Sequence, residues 1–203
     1  MEEKNRNTEG KILKTAEDVF IRKGKAAARM QEIADEAGIN KALLHYYYRS
    51  KDKLFESVFT TVIKQLMLPK IVKIVNEESD VFEIIRKFAD FYIGVLIKNP
   101  YIPLFVLEEI NKNPQRLAEL FISAGLPSEK LIKKIQKQMD EGSIKQMDPR
   151  QIFVNLIALC VFPLVARNMV QAILFKNNKR EYNKFLKSRK TEVADFIINS
   201  IKT

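Results

Sequence analysis

The chain has 203 residues, 46% of them hydrophobic, with one cysteine, one histidine and a formal net charge of +10. A lone cysteine excludes an internal disulfide framework, and one His with one Cys excludes a Cys/His zinc cluster. Few glycines and prolines, and few alternating β-branched runs, argue for an all-α chain, while the basic balance points to nucleic acid as a partner.

The first helix is expected from a cap near Thr8 to Lys23, stopped by Gly24, with Ile12, Ala16, Val19 and Phe20 on its core face. Residues 30–54 then read MQEIADEAGINKALLHYYYRSKDKL. Ile33, Ala34 and Ala37 form one apolar face, Gly38 breaks the helix, Ile39 plugs the corner, and Asn40 caps a third helix. In that helix Leu43, Leu44 and Tyr48 repeat at helical spacing, and Lys41, His45, Tyr46 and Tyr47 lie mostly opposite. A short helix with one buried stripe and an outer face of Lys, His and Tyr suits the DNA major groove. An ordinary helical hairpin would show the same periodicity.

Ser50 caps a fourth helix carrying Leu54, Phe55, Val58, Phe59, Val62, Ile63 and Leu66, with a kink or end expected at Pro69. Residues 77–80 form a polar break before a helix from about Val81 to Lys98, which Asn99-Pro100 ends. Helices from about Ile102 to Asn111 and from Pro114 follow; then Ser128 is expected to cap one reaching about Glu141, with Gly142 as its stop. Asp148-Pro149 opens a long helix to about Phe175, kinked at Pro163, and the last helix covers roughly Lys179 to Ile201. The total is about nine helices.

Ile33-Ala34, Ala37-Gly38-Ile39-Asn40, Leu44-His45, Tyr47-Tyr48, Ser50-Lys51 and Leu54 fall in register with a known signature: the segment resembles the DNA-binding domain of the TetR family of bacterial transcriptional regulators. The match covers about the first quarter of the chain. His45 stands where the family usually has Tyr, Tyr48 replaces a Phe, and Ala28 sits near a position often held by a phosphate-bonding Thr. The resemblance implies a three-helix helix-turn-helix domain over 1–54 and a ligand-binding and dimerisation bundle over 55–203. It implies Lys51 as a phosphate contact. Lys41 and Ala42, early in the third helix, are expected at base edges, with His45, Tyr46 and Tyr47 at phosphates or groove edges and Arg29 and Gln31 reaching the backbone.

Net charge supports this only weakly, because residues 1–55 hold twelve Lys or Arg against nine Asp or Glu. Lys176 to Lys190 carries seven basic residues and one acid. That run reads as a solvated loop and helix start, or more sharply as a second polyanion contact.

The middle helices are rich in aromatics. Core filling accounts for most of them; by similarity to the family, a pocket for an apolar or amphipathic effector is expected there. Its candidates are Phe88, Phe91, Tyr92, Phe105, Glu108, Phe121, Phe153 and Asn155. The helix over 149–175 is apolar nearly all round, so a two-fold four-helix dimer interface is expected from it and the last helix, through Leu156, Cys160, Leu164, Phe185, Phe196 and Ile197. If an effector shifts the fourth helix, the spacing of two reading heads on a palindromic operator changes.

No Gly-rich phosphate loop or nucleophile elbow is present, so neither a cofactor nor catalysis is expected, and no metal. The polar start MEEKNRNTEG lacks a signal-peptide core, and the longest apolar run, LIALCVFPLVA, is too short to span a bilayer. A cytoplasmic, ligand-responsive, homodimeric DNA-binding regulator, most simply a repressor, follows as the expectation. A non-specific polyanion- or membrane-surface-binding protein and a helical enzyme using the apolar cavity are the alternatives.

Overall fold

A computed structural model of the protein describes residues 2–203, with side chains described from Asn7 onward. The fold is helical. Among the described residues the only β-type pairing is one bridge between Ile144 and Lys202. Two compact units divide between Leu66 and Met67.

The first unit holds α1 (Glu2–Ala27), α2 (Met30–Glu36), α3 (Lys41–Tyr47) and α4 (Lys51–Thr61). Ile12, Ala16, Val19 and Phe20 are buried on α1, and Leu54, Phe55, Val58 and Phe59 on α4. These two helices pack together, with the Phe20 and Phe55 rings edge-on at 4.8 Å. Burying a side chain of that size contributes roughly 1.5–3 kcal/mol. Helix α4 therefore belongs to the head, which is why this unit extends beyond the residue-54 boundary expected from the sequence. Helix α1 begins earlier than expected, at Glu2, so Thr8 lies inside it rather than capping it. Gly24 does break the regular helix, at φ +75°, and one further turn follows it.

A π-helical segment, Val62–Met67, leads in the chain from α4 to α5 (Leu68–Glu77), where a kink or end at Pro69 had been expected. Pro69 cannot donate a backbone N–H and its ring crowds the carbonyl four residues back; a widened turn just before it relieves both. The rest of the second unit comprises α6 (Val81–Lys98), α7 (Tyr101–Lys112), α8 (Pro114–Ser123), α9 (Ser128–Asp140), α10 (Pro149–Val165), α11 (Arg167–Phe175) and α12 (Lys179–Ile201).

Helix α6 is the centre of this unit. Its Val81, Ile85, Phe88, Ala89 and Ile93 share a core with Ile152, Leu156 and Cys160 of α10 and Val193, Ala194, Ile197, Ile198 and Ile201 of α12. Gly94 leaves room for the end of the Lys190 side chain, since a Cβ there would stand 3.3 Å from its Nζ. The same Lys190 donates to Asp90 at 2.9 Å. Asp148 caps α10 as expected, its side chain accepting from Arg150 N. Ser128 does not cap α9: it is the first helical residue, and Pro127 holds the cap position without a side-chain bond.

The long helix expected over 149–175 is two helices, α10 and α11, bent by 76° at Ala166. No single helix among the described residues is long and apolar enough to cross a membrane.

Candidate nucleic-acid interface

The geometry of the turn between α2 and α3 is local in origin. Gly38 adopts φ +64°, which lets the Ile39 N–H reach back to the Ala34 carbonyl at 3.0 Å. Asn40 follows in extended conformation, and its Oδ1 accepts from Leu43 N at 2.7 Å. Leu44 is wholly buried beneath α3. Tyr48 ends the helix with its ring buried and its hydroxyl donating to Glu9 at 3.2 Å. Burial, then the charge of Glu9, raises the Tyr48 pKa, so it stays a neutral anchor. Ser50 caps α4 by accepting from Lys53 N.

On the outer side of α3, Lys41, Ala42, His45 and Tyr46 are all exposed, Tyr46 to 79%. Tyr47 is half-buried, its ring edge-on to Tyr46 at 5.7 Å. With its proton on Nδ1, His45 donates to the Arg49 carbonyl at 3.3 Å, which turns its other ring nitrogen away from that bond. Arg29 is exposed at the N-cap of α2; Gln31 is exposed too, but its side-chain amide donates to Asp35 at 2.7 Å.

The cations of the head fall into two groups. Arg22 grips both oxygens of Glu36 at 2.7 Å, Lys23 pairs with Glu32, and Lys25 pairs with Asp52 at 3.1 Å. These tie the end of α1 to α2 and α4. Among the described residues, no carboxylate pairs with Arg29, Lys41 or Arg49, which leaves them available to phosphate. Lys51, the phosphate contact implied by resemblance, instead donates to the carbonyls of Ala26 and Ala28, both at 3.0 Å. The internal clasps were missed from the sequence, although the RKGK run of α1 and the i,i+4 acids Glu32 and Glu36 were there to be paired.

The second unit redistributes the other candidates. Phe88 is buried in the core and stacks on Tyr92 at 5.0 Å, and Phe91 packs against the same core. Phe105 is buried on α7, and Phe121 is half-buried on α8. Glu108 faces outward and pairs with Lys112 at 2.6 Å; the buried acid is its neighbour Glu109, 3.1 Å from Arg116. Asn155 is exposed on α10. Of the eight proposed effector contacts, Phe153 lines a groove of about 410 Å³ between α9 and α10, together with Ile132, Val154, Lys133 and Arg150.

The six residues expected at a dimer interface are placed unevenly in the fold. Leu156, Cys160, Leu164 and Ile197 are at most 5% exposed within a single chain. They fill the interior of their own chain. Phe185 is half-buried against Phe175 at 5.1 Å. Phe196 alone of the six faces outward, at 65%. The apolar side chains left outside on these helices are Val154 and Phe162 of α10 and Met169, Ile173 and Leu174 of α11.

Residues 12–58 match the domain described as bacterial regulatory proteins, tetR family. The chain is 25% identical over 147 residues to the HTH-type transcriptional regulator YhgD of Bacillus subtilis, covering 68% of this chain and 72% of that one. It is 33% identical over 85 residues to the transcriptional repressor SCO4008 of Streptomyces coelicolor, covering 42% of each. Its fold matches that of the regulator FadR of Bacillus subtilis, solved with stearoyl-CoA, at a TM-score of 0.65 and 14% identity, over 93% of this chain and 96% of that one. Exposed α3, its capped turn and its propped head are thus the parts of a helix-turn-helix unit, and residues 12–58 are a domain of the tetR family of bacterial regulatory proteins.

Proposed function

We propose that the protein is a homodimeric repressor that reads palindromic duplex DNA with α3 and lets go when an apolar or amphipathic small molecule occupies its C-terminal unit. The observation that carries the DNA reading is the pairing of a fully buried Leu44 with an exposed Lys41–Tyr46 face, flanked by cations that hold no carboxylate. Lys41 and Ala42 sit in the first turn of α3, where side chains reach base edges; Ala42 offers a methyl contact to thymine. Tyr46 and Tyr47 flank the groove, His45 presents one ring nitrogen, and Arg29 and Arg49 meet phosphates. Gln31 joins them only by leaving Asp35.

The role is binding rather than catalysis. An effector acts through the difference between its affinities for the DNA-competent and DNA-incompetent states, and through nothing else. The apolar groove at Phe153 and the acyl thioester bound by the similarly folded FadR support an effector with an apolar part.

The test is binding to a palindromic fragment from upstream of the protein's own gene and to a scrambled duplex at physiological salt. Selective binding is expected. Equal affinity for both duplexes would leave only a non-specific polyanion binder. Mass spectrometry of small molecules released from freshly purified protein addresses the effector.

A further inference from the structure

We infer that Lys51 is a positioning residue of the reading head, a strap from α4 to the end of α1 that sets where α2 and α3 lie, and not one of the phosphate contacts. This inference rests on the DNA-binding reading above.

Gly24 leaves the helical path at φ +75°, so the last turn of α1 is not held by a continuous ladder. The chain must then redirect within a few residues into α2, whose N-cap, Arg29, makes no side-chain cap bond. The carbonyls at that junction need donors. Lys51 Nζ supplies two N–H groups, to Ala26 O and Ala28 O at 3.0 Å each. Ala28 itself is only 2% exposed, so its position is part of the packed head.

A second lysine runs in the opposite direction. Lys25, from α1, pairs with Asp52 at 3.1 Å and lies over the Phe55 ring at 5.1 Å. The two helices thus exchange lysines across the junction from which α2 departs. Lys51 stands in the first turn of α4, where the helix dipole disfavours a cation; the carbonyl end of α1 offsets that. Moving the ammonium to a phosphate would strip two carbonyls of their donor at the hinge that aims α2. Arg29, Lys41 and Arg49 carry no comparable internal obligation among the described residues.

Salt dependence separates a strap from a contact. A cation that neutralises a phosphate releases counterions, and losing it lowers the slope of log K against log [salt] by about 0.9. A strap releases none. The measurement uses full-length protein and a random-sequence duplex, with Lys51→Met, Lys51→Arg and Lys41→Ala beside wild type. Lys51→Met is expected to bind about tenfold more weakly with the wild-type slope, since two charge-assisted bonds at the hinge are lost. Lys51→Arg keeps two donors and is expected to restore most of the affinity. Lys41→Ala is expected to lower the slope.

A slope reduced by about 0.9 in Lys51→Met would make Lys51 a phosphate contact and overturn the strap. Unchanged affinity would overturn it as well, because a bond that serves folding alone leaves binding by the folded head intact. Amide hydrogen exchange without DNA gives an independent arm. Protection across residues 28–40 should drop in Lys51→Met and recover in Lys51→Arg, and unaltered protection refutes the strap. A wild-type protein blind to the palindrome would count against the repressor reading, while the exchange arm still decides the strap.

Discussion

Pro163 cannot donate to the Leu159 carbonyl, which in an unbroken helix would be its partner. Arg189 of α12 takes that carbonyl at 2.6 Å, and the Tyr182 hydroxyl donates to the carbonyl of Pro163 itself. Arg189 thus answers the N–H missing at Pro163, and Tyr182 answers a carbonyl left free where α10 ends. The Arg189 guanidinium also lies 5.6 Å over the Phe185 ring, and burial lowers its pKa. Arg189→Ala should cost about 1–3 kcal/mol, because it strands the Leu159 carbonyl. Urea unfolding measures it, and an unshifted midpoint would mean water replaces the guanidinium.

Cys160, in the same core, has its thiol pushed up to about 12 by burial, from an ordinary 9.0. Between those values the unfolded chain has lost a proton that the folded one retains. Stability present below pH 9 should therefore fall as pH rises toward 12, more steeply in wild type than in Cys160→Ala. Denaturant midpoints across that range check the sign. A thiol reagent should label Cys160 only when the chain opens.

At the scale of elements, the helix-turn-helix depends on two backbone devices. Asn40→Ala removes the cap on Leu43 N and is expected to cost about 1 kcal/mol in chemical denaturation. Gly38→Ala forces a side chain onto φ +64°, within 3.4 Å of Lys11 Nζ, and should cost at least as much; a neutral result would mean the turn had changed type. These devices were legible in the sequence because they act over three or four residues. So were the Asp148 cap and the span of α12. The break at Ala166 was not. Nothing local marks Ala166, and the bend falls three residues after the proline that was expected to make it. Arg189 and Tyr182, which hold the carbonyls around Pro163, come from another helix. The bonds of Lys51 were hidden for a similar reason: its sequence position matched a phosphate contact, and only the folded head shows the Ala26 and Ala28 carbonyls beneath it. The groove at Phe153 is likewise a product of how α9 meets α10, which no single segment encodes.

For the whole molecule, the open question of chemistry is what covers the apolar side chains that α10, α11 and α12 leave outside. A helix apolar all round looked from its sequence like one buried most economically between two subunits, with burial inside its own chain credible for part of it. In the fold half of α10 is already filled by its own chain, through Ile152, Leu156, Cys160 and Leu164. The remaining half keeps Val154 and Phe162 at 58% exposure each, beside a packed α12 that presents Phe196 at 65%. Exposed aromatic side chains on neighbouring helices suit an isologous contact, in which the same surface of a second copy meets itself. The two kinds of residue then respond differently to a charge. Phe162→Glu or Phe196→Glu should yield a folded monomer with unchanged helicity, and with much weaker affinity for a palindrome because the two heads no longer bind as one. Leu156→Asp should instead lose helicity altogether, since it places an unpaired carboxylate in the core. Light scattering and circular dichroism on the three variants distinguish the outcomes. A dimeric mass retained by both Phe variants would move the interface off these helices, and a well-folded Leu156→Asp monomer would return it to the face the sequence first suggested.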